Sequence, residues 1–460
     1  MNAPTLRGAS PQASGPLPDG WLRIRLDHAC EPRLEKGHEG SRPYVEIGDI
    51  DITRKTYSIS DKPAVKGAII AKSGDVLVSR VRPTRGAVCI MREPTATVSS
   101  ALSVFTPKPE LLPEYIFYSL AWNNDFATYL GERCTGTMYP TVSRDVVCSY
   151  QIPVSPLREQ RRIVAEIEKQ FTRLEAGVAA LRRVQANLHR YRAAVLKAAC
   201  EGRLVPTEAE TRKTFETGAQ LLQRILKQRR EQWSGQGQYK QTTSPNTTGL
   251  PKLPEGWCWA GMRQVGEVQL GRQRAPQHHS GDNMRPYLRV ANVFEARIDT
   301  GDIMSMNFTP VEFEKYCLRY GDILLNEGQT PELVGRPAMY RDEIPGCCYQ
   351  KTLLRFRAYE GLLPHFALTV FRSYMHNRRF TRAASITTNI AHLTAEKFVE
   401  IEFPLPPLAE QERIVAEVER RLSVVEELSA LVTANLQRAT RLRQAILQQA
   451  FEGKLVKAAT

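Results

Sequence analysis

Apolar residues recur in steps of three and four along two long segments of the chain, 156–205 and 407–460. The repeating positions of the first segment are Val164, Ile167, Phe171, Leu174, Val178, Leu181 and Leu188. Those of the second are Val415, Val418, Leu422, Val425, Val432 and Leu436. A narrow seam sustained over about five heptads predicts two long helices that pair along it. Two independent amphipathic helices, each packed on its own domain, are the alternative.

Both segments carry matching signals for where a helix begins and ends. Pro156 and Pro407 stand where the first turn tolerates proline, and Gly202 and Gly453 stand where a helix commonly ends. Each helix should then have about 44 residues and a length of about 66 Å.

The chain repeats itself. Residues 156–175 and 407–426 are identical at eleven of twenty positions, and 191–205 match 442–456 at eight of fifteen. Upstream, LPDGW (17–21) pairs with LPEGW (253–257), and GDVLVSR (74–80) with GDILLNE (321–327). The order is therefore A–B–A′–B′, with similar B segments and diverged A blocks.

Connectivity favours an antiparallel helix pair, because block A′ begins soon after helix one ends and leads directly into helix two. The predicted fold is α+β: two similar mixed α/β domains separated by a long antiparallel two-helix coiled coil, with pseudo-two-fold symmetry. The first domain is 1–155, its helix 156–205, and the second domain 251–406 with its helix 407–460.

The connection 206–250 divides into two parts. Residues 215–233 place leucine and isoleucine on one face and basic residues on the other, which predicts a short amphipathic helix. Residues 234–249 are polar and of low complexity, which predicts a flexible linker.

Charge is concentrated in the middle of the chain. Residues 156–250 hold 18 basic and 9 acidic side chains, so 18 − 9 gives +9 of the net +14. The excess suggests a polyanionic partner, although a solvated basic helix would also explain it. The nine cysteines are scattered and predict reduced thiols in a cytoplasmic protein, and we expect neither a signal peptide nor a membrane span.

The motifs of phosphate-binding loops, dinucleotide folds, zinc proteases and serine hydrolases are missing from the sequence. Adjacent pairs such as His278-His279 and Cys347-Cys348 suit metal chelation poorly. We therefore expect a recognition protein without a catalytic or metal site of its own.

Two pairs of loops are candidates for reading DNA. SRVRPTRG (79–86) offers guanidiniums that can bond guanine or clamp phosphate, and its counterpart LNEGQTPELVGR (325–336) offers amides suited to adenine. TGTMYPTVS (135–143) and SITTNIAHLT (385–394) precede the two long helices. The predicted DNA-binding residues are Arg80, Arg82, Arg85, Thr137, Tyr139, Arg272, Arg274, Arg289, Asn292, Asn326, Gln329, Arg336, Thr388 and Asn389. Solvated surface loops are the alternative for each of them. Arg378, Arg379 and Arg382 are further candidates for phosphate contacts.

The A–B–A′–B′ plan, the P-L-x-E-Q-x-R-I-V helix starts, the E-G-[RK]-L-V helix ends and FPLPPL resemble the DNA specificity subunit of type I restriction–modification systems. The family's loop before the helix often reads G-[ST]-x-Q-x-N-I. Thr388-Asn389-Ile390 keeps part of this pattern, and Thr137-Met138-Tyr139-Pro140 departs from it.

The resemblance implies that each A block is a target recognition domain for one half of a bipartite site in double-stranded DNA. It also implies that the coiled coil acts as a spacer and docks two modification subunits that methylate adenine. Cofactors would then lie on partner subunits: S-adenosylmethionine on the modification subunits, ATP and Mg on restriction subunits. This chain would bind none and would not itself be an enzyme.

Half-sites on one face of B-DNA repeat every 34–36 Å or a multiple of it. We therefore expect the helix length to set the gap between half-sites. Other functions remain open: a targeting portion of a related restriction–modification enzyme, a coiled-coil scaffold that links two protein-binding modules, or an enzyme with an unrecognised site.

Overall fold

The computed structural model describes residues 16–37, 43–233 and 242–456. The chain divides into two compact units, the first formed by Met1–Arg183 with Val432–Thr460 and the second by Val184–Leu431. These boundaries differ from the predicted segments, because each unit combines one A block with parts of both long helices.

The first unit is built on short strands that form two main sheets. A four-stranded antiparallel sheet has the order Cys30–Pro32, Leu102–Pro107, Val76–Ser79, Val88–Ile90. A mixed three-stranded sheet has the order Tyr44–Val45, Thr95–Val98, Ile69–Lys72. Two further strand pairs join Leu22–Arg25 to Gln151–Val154 and Ile50–Asp51 to Thr56–Tyr57. Its short helices are Leu26–Ala29, Pro113–Leu120, Asn124–Gly131 and Arg144–Cys148.

The second unit repeats this plan and adds to it. Its four-stranded antiparallel sheet has the order Gly266–Leu270, Leu353–Ala358, Ile323–Asn326, Pro337–Met339. The mixed three-stranded sheet has the order Met304–Asn307, Met284–Leu288, Cys348–Tyr349. Strand pairs join Cys258–Gly261 to Glu402–Leu405 and Val293–Phe294 to Arg297–Ile298. The addition is a sheet of Gly328–Gln329, Ile390–His392 and Ser385–Thr387. The short helices are Glu208–Thr211, Gly218–Glu231, Met262–Val265, Pro310–Tyr316, Pro364–His376, Arg379–Ala383 and Ala395–Val399.

The two predicted long helices are present as Leu157–Cys200 and Leu408–Phe451, each of 44 residues. Exposure along them follows the heptad pattern. Between residues 172 and 191, all of which the structure describes, the positions that are not exposed are 174, 178, 181, 185 and 188. Between 423 and 442 they are 425, 429, 432, 436 and 439.

Each unit by itself contains the start of one long helix packed with the end of the other. In the first unit, Ile167 and Phe171 share a core with Ile446 and Leu447. In the second unit, Val195 and Ala199 share a core with Ile414 and Val418. This is the local arrangement that an antiparallel pair requires.

The repeated motifs at the helix starts have the same contacts in both units. The indole N–H of Trp21 donates to Glu159 Oε2 at 3.1 Å, and that of Trp257 donates to Glu410 Oε1 at 2.9 Å. The next residue, Gln160 or Gln411, accepts from the backbone N–H of Leu112 or Leu363 at 3.0 and 2.9 Å. The Glu-Gln pair therefore ties each helix start to the block that precedes it.

The predicted connecting helix is observed as Gly218–Glu231, with Leu221 and Ile225 buried. Half of the predicted linker, 234–241, lies outside the described residues. All nine cysteines are described and none is paired in a disulfide. Within the described residues, every helix is either too short or too polar to span a lipid bilayer.

Candidate nucleic-acid interface

The two candidate loops of the first unit lie together. The backbone N–H of Arg82 donates to the carbonyl of Pro140 at 2.7 Å, and that of Val142 donates to the carbonyl of Arg80 at 2.9 Å. Segments 79–86 and 135–143, which are separated by the 48 residues 87–134, therefore form one surface. We call it the arginine surface.

The arginines of this surface occupy different environments. The Arg82 guanidinium lies 5.1 Å from the centre of the Tyr139 ring, and its backbone has a φ of 46°. Arg85 is exposed in the short turn Pro83–Arg85. Arg80 is half-buried, donates to the carbonyl of Ser100, and burial lowers the pKa of its guanidinium. Arg82 and Arg85 are thus the arginines best placed to meet a ligand, beside the exposed Thr137.

A buried lysine, Lys55, hydrogen-bonds to the backbone of the arginine surface. The Lys55 ammonium donates to the carbonyl of Gly86, which closes the turn, and lies 5.8 Å from the centre of the Trp122 ring. Only 6% of Lys55 is exposed, and burial lowers the pKa of its ammonium to about 8. Neither periodicity nor a motif in the sequence points to this residue.

The second unit also brings its two candidate loops together. Gly328 and Gln329 pair in antiparallel register with His392 and Ala391, and the Leu393 N–H donates to the carbonyl of Glu327 at 2.8 Å. Segments 325–336 and 385–394 form what we call the amide surface.

A two-stranded ribbon extends from the amide surface. Its strands, Ser385–Thr387 and Ile390–His392, are joined through Thr388 and Asn389. Every residue from Ser385 to Ile390 is exposed, and Thr388 has a φ of 43°. Gln329 is half-buried beside the ribbon, and its side-chain oxygen accepts from the N–H of Thr330 at 3.0 Å.

Three predicted contact residues are buried instead. Arg272 is buried and forms a two-pronged ion pair with Glu312 at 2.8 and 2.9 Å. The Asn292 amide is buried and holds a turn, because it donates to the carbonyls of Asp299 and Asp302.

Asn326 is the third of these buried residues, with an exposed fraction of 0%. The backbone of Asn326 bonds to Arg336 and Gly335, which close over the end of its strand. The folded loop therefore keeps this amide away from any ligand at the surface.

The remaining predicted arginines are partly engaged. The Arg336 guanidinium lies 4.8 Å from the centre of the Phe294 ring, and burial lowers its pKa. Arg289 pairs with Asp302, and the exposed Arg274 donates to His279 Nε2 at 3.1 Å.

The three further phosphate candidates also differ in their surroundings. Arg379 forms a two-pronged ion pair with Glu402 at 2.8 and 2.6 Å, so it holds the fold together. Arg378 and Arg382 are exposed.

Sequence reasoning missed a set of large apolar side chains on the same two surfaces: Met138, Ile386 and Ile390 are 81%, 54% and 50% exposed. The sequence signal that could have identified these side chains is that they are apolar residues inside otherwise polar loops.

A further exposed apolar set lies on the long helices in the second unit. Val424 and Leu428 of the second helix are 50% and 42% exposed, and Val184 and Tyr191 of the first are 42% and 46% exposed. These side chains lie outside the seam positions and could contact another protein.

No family model matches the chain. The type I restriction enzyme EcoKI specificity subunit of Escherichia coli (strain K12) is 22% identical over 306 residues, which cover 66% of this chain and 57% of that protein. The type I restriction enzyme MjaVIII specificity subunit of Methanocaldococcus jannaschii is 20% identical over 459 residues, which cover 95% and 94%. The chain spans about half the length of several other curated relatives that it matches.

A chain from a solved structure of the type I R-M system, studied for its complex assembly and conformational transition, matches with a TM-score of 0.68. It is 23% identical to this chain, and the match covers 96% of this chain and 100% of that one. The α+β prediction, with two mixed domains and two long helices, is confirmed. The resemblance noted in the sequence is confirmed as well.

Proposed function

We propose that this chain, which resembles the specificity subunits of type I restriction enzymes, is the DNA-recognition subunit of such a complex. Each unit would read one half of a bipartite site in double-stranded DNA. The reaction itself would take place on partner subunits.

One observation carries the proposal: both units bring the same pair of sequence-distant loops into one surface. Packing of the core does not require the exposed polar groups that these surfaces hold. Two related surfaces on one chain match the two halves of a divided site.

The two surfaces differ in chemistry, which supports different half-sites. Arg82 and Arg85 can bond guanine O6 and N7 or clamp phosphates. Asn389 and Thr388 at the ribbon turn can bond adenine or base edges more generally. A two-stranded ribbon also has dimensions that the major groove admits.

Partner subunits would supply the remaining functions. The exposed apolar residues Val424 and Leu428 offer the long helices an outer face for two modification subunits. Those subunits would bind S-adenosylmethionine and methylate adenine, and restriction subunits would bring ATP and Mg. Because the target is cellular or incoming DNA, we place the chain in the cytoplasm.

Binding to duplex DNA over a range of salt concentrations tests the proposal against a protein scaffold. The complex should bind its site with an affinity that falls steeply and log-linearly with salt, because arginines displace counterions. Arg82→Ala should weaken binding and reduce the salt slope by about one ion per lost phosphate contact.

Arg54→Ala is the matched control, since it removes the same charge from an exposed position of the first unit outside the arginine surface. An affinity for duplex DNA that does not depend on salt, or equal effects of the two substitutions, would contradict the proposal.

A further inference from the structure

Large apolar side chains are exposed to solvent in loop 135–143 of the arginine surface and on the ribbon of the amide surface. We call these two segments the tips. Met138 and Tyr139 of the arginine surface are 81% and 64% exposed, and Ile386 and Ile390 of the ribbon are 54% and 50% exposed. Among the residues that the structure describes, no other large hydrophobic residue is as exposed as Met138. A ligand that covers these side chains would gain the free energy of their burial.

The internal repeat relates the two tips to each other. At the offset of 251 residues that aligns the long helices, Tyr139 corresponds to Ile390 and Met138 to Asn389. Although the two loops differ in sequence, both present exposed apolar side chains here: Ile390 in the second loop, and Tyr139 with the adjacent Met138 in the first. Because the Tyr139 ring already faces the Arg82 guanidinium at 5.1 Å, the more exposed Met138 is the side chain of this pair that a ligand meets first. The coincidence favours a shared target over two unrelated exposed residues.

One of the two isoleucines, Ile390, lies at the end of the ribbon where the turn joins its strands. Thr387 and Ile390 are cross-strand partners, so their side chains share one face of the ribbon next to the turn. Ile386 pairs with Ala391 and therefore occupies the other face. Of the two isoleucines, Ile390 lies beside the polar turn residues Thr388 and Asn389.

The chemistry of DNA limits what an apolar side chain can read in the major groove. Base edges there present hydrogen-bond donors and acceptors, and the apolar group among them is the C5 methyl of thymine. We propose that Met138 and Ile390 each recognise a thymine methyl group, one in each half-site. The inference rests on the proposed function and specifies the base that the apolar tips select.

Replacement of single thymines by deoxyuridine tests the inference, because it removes the methyl group and leaves base pairing and O4 intact. The assay uses the full chain with its modification subunits and a duplex that carries the methylated site. One thymine in each half-site should be sensitive, with affinity about fourfold weaker after replacement. Fourfold corresponds to the loss of one buried carbon group at about 0.8 kcal/mol.

Two variants identify which residue contacts which thymine methyl group. Met138→Ala should abolish the deoxyuridine effect in one half-site and leave it in the other, and Ile390→Ala should do the reverse. Leu22→Ala and Val311→Ala are controls that remove exposed apolar side chains, 66% and 76% exposed, outside the two surfaces. Both should keep the full response.

Two results would overturn the inference: a wild-type complex that is insensitive at every thymine, or a deoxyuridine response that persists in both variants. Stacking of the tips between base pairs would lower affinity in the variants without changing the deoxyuridine response. Failure of the proposed function is distinguishable, since the wild-type complex would then bind no particular sequence.

Discussion

Lys55 illustrates how a single buried charge can be tested. Burial lowers the pKa of its ammonium to about 8, while the unfolded chain keeps the ordinary value near 10.5. Between these values the unfolded state binds more protons, so the free energy of unfolding rises with pH. This increase in the free energy of unfolding is complete above pH 10.5 and absent below pH 8.

The prediction compares wild type with Lys55→Met, which keeps the length of the side chain and cannot ionise. From pH 7 to pH 10, wild type should gain about 1–3 kcal/mol relative to the variant in chemical denaturation of the full chain. Taking the difference removes the contributions of other titrating groups. A difference that stays constant over this range would contradict a buried charged lysine.

At the residue scale, sequence reasoning identified exposed groups better than it excluded buried ones. Arg82 lies just after the buried strand Val76–Ser79, and Asn326 is the last residue of the buried strand Ile323–Asn326; the hydrogen-bonding groups of both side chains made them candidates for contact. Backbone bonds from Arg336 and Gly335 close over Asn326, whereas the equivalent region of the first unit leaves Arg82 above the Tyr139 ring. Such closure depends on tertiary register, which local sequence does not encode.

Helix ends and helix interiors respond to the same substitution in opposite ways. Gly202 has a φ of 64°, and a Cβ there would lie 2.3 Å from Pro254 Cγ. Gly177 is inside the first long helix, and a Cβ there would meet nothing within 4 Å.

We therefore predict that Gly202→Ala lowers the free energy of unfolding by at least about 2 kcal/mol, from backbone strain and the clash with Pro254. Gly177→Ala should raise it by about 0.5–1 kcal/mol, because alanine favours the helix. Thermal denaturation of the two variants measures both. If both substitutions shifted stability in the same direction, the assigned helix end would be wrong.

At the element scale, the long helices could be predicted because a heptad pattern over 44 residues is a strong periodic signal. The shorter helices carry weaker signals: Pro364–His376 ends just before Arg379–Ala383 begins, because Arg378 between them has a φ of 61°. The paired candidate loops could be suggested singly but not as pairs, because their backbone bonds join segments distant in sequence.

At the scale of the whole molecule, the internal repeat is the sequence feature that allowed the division into two related units to be predicted. The order A–B–A′–B′ predicted two related units, and the equivalent Trp21–Glu159 and Trp257–Glu410 bonds show the same construction in both. The sequence placed each long helix in a segment of its own, whereas each contributes residues to both units. Shared helices follow from tertiary packing rather than from any boundary in composition.

The role of the long helices in setting the gap between half-sites stays a prediction. Insertion of seven residues at matching heptad positions of both helices adds about 10.5 Å at 1.5 Å per residue. The preferred gap should grow by about three base pairs at 3.4 Å each. Selection of bound sites from a duplex library with variable gaps measures this. An unchanged gap would contradict a spacing role, and insertion into one helix alone serves as the unpaired control.

The central claim, that each unit reads its own half of a divided DNA site, is tested most directly by mapping methylated adenines across a genome. The map should be made without the chain, with the chain, and with Arg82→Ala. We predict a bipartite motif that depends on the chain and an Arg82→Ala motif that is relaxed in one half and intact in the other. Methylation that does not depend on the chain, or equal relaxation of both halves, would contradict the claim.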